Sequence, residues 1–184
     1  MYSKVVCKLE FTNVKCNMLD RKFGNFEQCY LKAQNRTYKY ISIKALLYQK
    51  PVTQFKVNFA LYKRSNGLQP ISINTTIDGC KLLHKNGNTL ALFLFGLFKT
   101  YSNINHSCPF DASIQSNRII DGPSLICFLY TLQHDVRVEK LPTTFVMNHM
   151  TMFLPFPAGD YVFNTNWIAN GAHRASVRVH ATLD

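Results

Sequence analysis

The sequence predicts an all-β sandwich. One observation is the strict alternation of apolar and polar residues over several stretches, the period that puts every second side chain on one face of a strand. A second is the set of Gly, Pro and Asn turn signals that punctuate those stretches at strand-length spacing. A third is the lack of any internal repeat or linker in 184 residues, a length that one hydrophobic core accommodates. Apolar residues make up 47% of the chain, with fourteen Phe and nine Tyr, so there is material for a core and no compositional case for disorder.

The elements follow in order. In "YKYISIKALLYQ" (38–49), Ile41, Ile43, Ala45 and Leu47 face one way, and Tyr40, Ser42 and Lys44 the other. After "QKPV", the stretch "TQFKVNFALYK" (53–63) repeats the scheme with Phe55, Val57, Phe59 and Leu61 inward. These two read as a half-buried antiparallel pair. "RSNGLQP" supplies Asn-Gly turn chemistry before "ISINTTI". The rhythm breaks at "NGNTLALFLFGLFKTYSN" (86–103), where Asn88 and Thr89 offer an N-cap and Leu90, Phe93, Leu94, Leu97 and Phe98 recur at helical spacing. A helix apolar nearly all round is buried on most sides or covers something greasy. "PAGD" then opens a strand with Tyr161, Phe163, Thr165 and Trp167 on one face. "ANGAHR" turns it into a last strand with Ala175, Val177, Val179, Ala181 and Leu183 on one face.

A formal charge of +11 invites a nucleic-acid reading, but the 21 Lys and Arg are spread from Lys4 to Arg178 and never run more than two together. They alternate with apolar residues, the pattern of solvated strand faces rather than of a phosphate-binding groove. No segment reaches the ~20 apolar residues that span a bilayer. The almost uncharged run "DGPSLICFLYTLQ" (121–133) is therefore not an anchor. Three Asn-x-Ser/Thr sites, at Asn35, Asn74 and Asn105, accompany six cysteines that form no CxxC and no zinc spacing. Together they predict a secreted, glycosylated, disulfide-bonded protein. Residues 1–7 carry no hydrophobic leader core, and Val5-Val6-Cys7 is similar to the end of a cleavage site, which predicts a signal-peptide remnant and a mature domain over 8–184.

Catalytic constellations are not found. There is no GxSxG, HExxH, P-loop or GxGxxG, and the ten carboxylates form no evident acid–base pair. His106 and Cys108 are spaced to share a strand face, but a structural disulfide at Cys108 is the better reading. His134 and Asp135, being adjacent in a strand, point to opposite faces. His149 and His180 read as ordinary sheet-face histidines. The expectation is a protein that is not an enzyme and holds no cofactor or metal.

The segments "LEFTNVKC", "NRTYKY", "PVTQFKVNFALYKR", "DGCK", "YSNINHSCPFD", "KLP" and "LPFPAGDY" carry a resemblance over about Leu9 to Leu183. The chain resembles the ML lipid-recognition family, which includes the lysosomal cholesterol carrier of Niemann-Pick type C disease and the ganglioside activator. It is more similar still to an insect branch of unknown function related to the chemosensory B proteins. In that branch "CP(Y/F)D" runs directly into "HD", and deleting 112–133 here restores "CPFDHDVRVEKLP". The expectation is that 112–133 is an insertion, as from a short intron read through in frame; the alternative is a genuine loop insertion holding a buried strand. Setting Cys7 and Cys127 aside leaves four cysteines, which allow three connectivities. The resemblance implies Cys80 with Cys108, leaving Cys16 with Cys29. Many ML proteins also tie the first strand to the last by a disulfide, which this chain cannot form.

The resemblance further implies an immunoglobulin-like cup: a sandwich with one helical excursion between Cys80 and Cys108 and a cavity between splayed sheets. Ile41, Ile43, Leu47, Phe55, Val57, Phe59 and Leu61 would form one wall. Phe93, Leu97 and Phe98 would form a lid, and Phe145, Phe163, Trp167, Val177 and Val179 the opposite sheet. The partner then expected is a hydrophobic small molecule such as a lipid, sterol or hydrocarbon used in chemosensation. Basic strand faces would approach a membrane surface or a receptor, no nucleic acid is bound, and the chain is a monomer. The competing expectation is an extracellular interaction module with a closed core, because alternation alone does not distinguish a filled core from an open cup.

Overall fold

The computed structural model describes residues 8–36, 38–49, 51–83, 89–104, 135–151 and 156–184. The chain is an all-β sandwich of two antiparallel sheets. Its strands are β1 (Leu9–Met18), β2 (Gly24–Ala33), β3 (Lys39–Leu47), β4 (Phe55–Ser65), β5 (Gly67–Asp78), β6 (Asp135–Pro142), β7 (Gly159–Ala169) and β8 (Ala172–Leu183). The larger sheet runs β1-β8-β7-β4-β5 and the smaller β2-β3-β6. Helices α1 (Gly79–Leu83) and α2 (Thr89–Gly96) follow β5, and α3 (Thr143–Thr151) follows β6.

The hairpins form where turn chemistry demands them. Asn170 (φ 48°) and Gly171 (φ 77°) both occupy the left-handed region between β7 and β8, as a two-residue turn between right-twisted strands requires. Asn170 also accepts hydrogen bonds at its side-chain oxygen from the backbone N–H groups of Thr53 (3.1 Å) and Gln54 (3.3 Å), which ties the approach to β4 onto this hairpin. Gly67 (φ 107°) opens β5 directly after β4.

Extra residues keep the inner faces consistent. In β1 the register against β8 shifts between Phe11 and Asn13, so Thr12 is surplus and Leu9, Phe11, Val14, Cys16 and Met18 all turn inward. In β2 the register against β3 shifts between Phe26 and Gln28, so Glu27 is surplus and Phe26, Cys29 and Leu31 turn inward. Cys16 and Cys29 thereby meet and form a disulfide with a Cα–Cα distance of 6.2 Å, the pairing that the resemblance implied. It joins an edge strand of each sheet. The first and last strands, which no disulfide links, pair directly through their backbones.

Two expectations are corrected here. The strands β3 and β4 do not pair: β3 lies between β2 and β6, and β4 between β7 and β5, so their apolar faces meet across the sandwich. Residues 143–151 are a helix, so Phe145 and His149 sit on α3 rather than on a strand, and the helical excursion after Cys80 is not the sole one. The segment 112–133, with Asn105 and Cys108, lies outside the described residues.

Candidate functional site: an apolar cavity between the sheets

Side chains leave a cavity of about 500 Å³ between the two sheets. The smaller sheet contributes Ile41, Ile43, Ala45 and Leu47 of β3, with Val136 and Val138 of β6. The larger contributes Phe55, Phe59 and Leu61 of β4, Phe163, Thr165 and Trp167 of β7, and Ala175, Val177, Val179, Ala181 and Leu183 of β8. These β7 and β8 faces are the ones the alternation assigned inward. Phe55, Phe59 and Leu61 therefore share a wall with Phe163, Trp167, Val177 and Val179, and only Ile41, Ile43 and Leu47 stand opposite.

The space persists because the two long sides of the sandwich differ. On one side the disulfide draws β1 and β2 to 6.2 Å between Cα atoms, well inside the ~10 Å at which facing sheets usually stack. On the other, α2 and the 3₁₀ turn Lys99–Tyr101 fill the gap between β4 and β6. Phe98 stacks on Phe59 of β4 with ring centroids 6.5 Å apart. Ser102 bridges Val138, and the Arg137 N–H donates to Asn103 Oδ1 (2.8 Å), so the turn covers the free edge of β6. A helix is about 10–12 Å across with its side chains, so this side is held wider than the stapled one. Phe93 and Leu94 of α2, then Leu97 and Phe98, reach the cavity from this side.

Helix α3 closes one end. Val146, Met147 and Met150 line the cavity beside Leu9 and Leu141. Its outer side grips α2: the His149 Nε2–H donates to the Phe93 carbonyl (3.2 Å), the imidazole stacks on the Phe93 ring (5.2 Å between centroids), and Gly96 leaves it room. Phe145 packs against Tyr101 (4.9 Å) and His149 (6.1 Å) and does not line the cavity. Val57 is also not a wall residue; it lines a separate void of about 20 Å³ with Ile77 and Leu82 of the β5–α1 segment.

Among the described residues of the lining, methionines apart, only Thr165, Trp167, Tyr161 and Arg174 carry polar side-chain atoms, and each of the four is partnered within the protein. Trp167 Nε1–H donates to Thr165 Oγ1 (2.9 Å), and the Thr165 hydroxyl donates to the Val177 carbonyl (3.3 Å). The Tyr161 hydroxyl donates to the Pro157 carbonyl. Arg174 pairs with Asp20 and donates from Nε to the Ala169 carbonyl (3.2 Å). The described part of the wall thus leaves no polar group to be satisfied from the cavity, and what it offers is apolar surface.

Sequence reasoning missed the contributions of β1, the β1–β2 turn, β6 and α3, as well as Arg174. The alternation of Leu9 and Phe11 was a usable signal; the helix was not, because "TTFVMNHM" continues an apolar–polar mixture with no break after "KLP". Cys80 is disulfide-bonded. Asn35 is exposed at the β2–β3 turn, where its side-chain oxygen accepts from the Tyr38 N–H (2.7 Å). Asn74 is exposed on β5 and accepts from Asn58 Nδ2 (2.9 Å). Among the described residues, no three His, Cys, Asp or Glu side chains gather as metal ligands, and no helix is long and apolar enough to cross a membrane.

A family model described as a protein of unknown function (DUF1091) matches residues 57–128, from β4 through α2 and onward. The chain is similar to that family over this span, which contains the helical side of the cavity. A search of curated proteins finds no match.

Proposed function

We propose that the chain is a secreted, non-catalytic carrier that sequesters a hydrophobic small molecule between its sheets. The observation that carries this reading is the cavity of about 500 Å³, whose lining is apolar and whose few polar atoms are internally satisfied. That volume lies within the ~300–1,000 Å³ of small-molecule sites. An interior space of that size forgoes packing that a filled core would have. A guest recovers part of that, at about 0.8 kcal/mol per buried methylene. The resemblance to ML lipid-recognition proteins supports a lipid, sterol or hydrocarbon as the class of ligand; the DUF1091 match names no ligand. The Cys16–Cys29 disulfide supports an oxidising, extracellular setting.

Trp167, the one tryptophan in the chain, sits in the cavity wall 5.3 Å from the Phe55 ring and reports occupancy. Titration with an apolar fluorophore such as diphenylhexatriene is expected to change Trp167 emission saturably. Phe59→Asp places a charge in the wall and is expected to abolish uptake while the β-sheet circular dichroism signal persists. Uptake retained by the folded variant removes the wall assignment. A wild-type protein that binds no apolar molecule removes the carrier reading in favour of a closed-core interaction module.

A further inference from the structure

We infer that Asp20 sets the charge selectivity of the cavity: by neutralising Arg174, the cation that a bulge turns into the apolar wall, it restricts the guest to molecules carrying no negative charge. This rests on the carrier reading above. Arg174 lines the cavity although alternation in β8 would send it outward. The register between β7 and β8 shifts there: Trp167 pairs with Ala175 and Ile168 with His173, so Arg174 is the surplus residue. Such a bulge re-aims the side chain. The guanidinium lies over the Phe23 ring, 4.7 Å from its centroid, and Phe23 is itself a wall residue. Among the described residues it is the one cation in the lining. Left alone it would be the natural anchor for a carboxylate headgroup at this end of the cavity.

Asp20 does not leave it alone. Its Oδ2 accepts from Arg174 Nη1, and the Leu19 and Asp20 N–H groups donate to the Arg174 carbonyl (2.9 and 3.2 Å), so side chains and backbones hold the pair together. The other carboxylate oxygen accepts from the Lys22 N–H (3.0 Å) and the Phe23 N–H (3.3 Å), which fixes the turn between β1 and β2. The Asp20 side chain is 30% exposed and does not line the cavity, so it serves Arg174 from the solvent side. A guest carboxylate would meet a guanidinium whose charge Asp20 already balances, so it would have to displace Asp20 or bring an uncompensated negative charge into an apolar space, and either is costly. A neutral guest meets no such barrier.

The test compares guests of equal chain length, dodecanol and dodecanoate at about pH 8, where the acid is ionised, as competitors of bound diphenylhexatriene. In the wild-type protein the alcohol is expected to compete at least about tenfold better than the carboxylate. Asp20→Asn keeps the oxygen that caps the turn and removes the charge, and is expected to reverse that order. Arg174→Gln leaves the Asp20 carboxylate in place, and is expected to keep dodecanoate weak while admitting dodecylammonium. Equal competition by alcohol and carboxylate in the wild type overturns the inference. So does an unchanged order in a folded Asp20→Asn protein, or exclusion of dodecylammonium by a folded Arg174→Gln protein. A wild-type protein that fails to bind diphenylhexatriene at all defeats the carrier reading instead, and this inference with it.

Discussion

The two long sides of the sandwich solve one problem in opposite ways. Along β1 and β2, a covalent bond and inward-facing residues bring the sheets together, and nothing needs to fill a gap. Along β5 and β6, the chain leaves the sheets for α1, α2 and a 3₁₀ turn, and these elements hold the two layers apart. A sandwich closed on both sides would mesh its aromatic faces into a core. One stapled on one side and wedged on the other encloses a tapering space that the same faces only line. The cavity thus depends on the asymmetry rather than on any one wall residue.

Removing the staple is the strongest challenge to that comparison. Cys16→Ala with Cys29→Ala opens a link spanning a sequence separation of 13 residues and is expected to cost about 3 kcal/mol in denaturant unfolding. A loss under about 1 kcal/mol would mean that β1–β8 pairing alone holds this side. The wedge is tested more gently. A Cβ at Gly96 would lie 2.6 Å from His149 Nε2, and His149 is pinned between the Phe93 and Phe145 rings and cannot retreat freely. Gly96→Ala is therefore expected to destabilise by about 1 kcal/mol despite the better helix propensity of alanine, and to weaken uptake of an apolar fluorophore. A neutral or stabilising outcome would show that α2 and α3 are not gripped through this contact.

The smallest effect concerns the outer face of the larger sheet, where His180 of β8 pairs with Asn13 of β1. Burial first, then the nearby cations Lys15, Arg64 and Arg178, hold the His180 imidazole below its ordinary protonation range, and its Nε2 is buried without a partner. The unfolded chain therefore binds a proton before the native state does, and stability falls as pH drops from about 7 towards 5. His180→Gln is expected to flatten that slope by a few tenths of a kcal/mol while leaving uptake unchanged. An unaltered slope would assign the pH dependence to other groups.

Much of this architecture was legible in the residues. Alternation in 161–167 and 175–183 named the inner faces of β7 and β8, and Asn170-Gly171 marked their turn. What alternation reports is which face a side chain occupies, not which strand lies beside it, so β3 and β4 were read as partners although they stand opposite each other. The short helix α3 carries too few turns for its period to stand out, and Phe145 was misplaced with it. Val57 satisfies the inward pattern yet faces the smaller void under α1, because helices on that side divide the interior. Arg174 was illegible for a different reason: a charged residue out of phase reads as solvent-facing until the bulge is seen.

An extended chain counts in twos, so a single surplus residue inverts the phase of everything after it. Thr12 in β1 and Glu27 in β2 are such residues, each one placed between the start of its strand and its cysteine. Losing either would swing one sulfur to the outside while the other stayed within, and cysteines still present in the gene could no longer reach each other. Two polar side chains that touch neither the cavity nor the bond they make possible are therefore sites that do not tolerate a one-codon deletion.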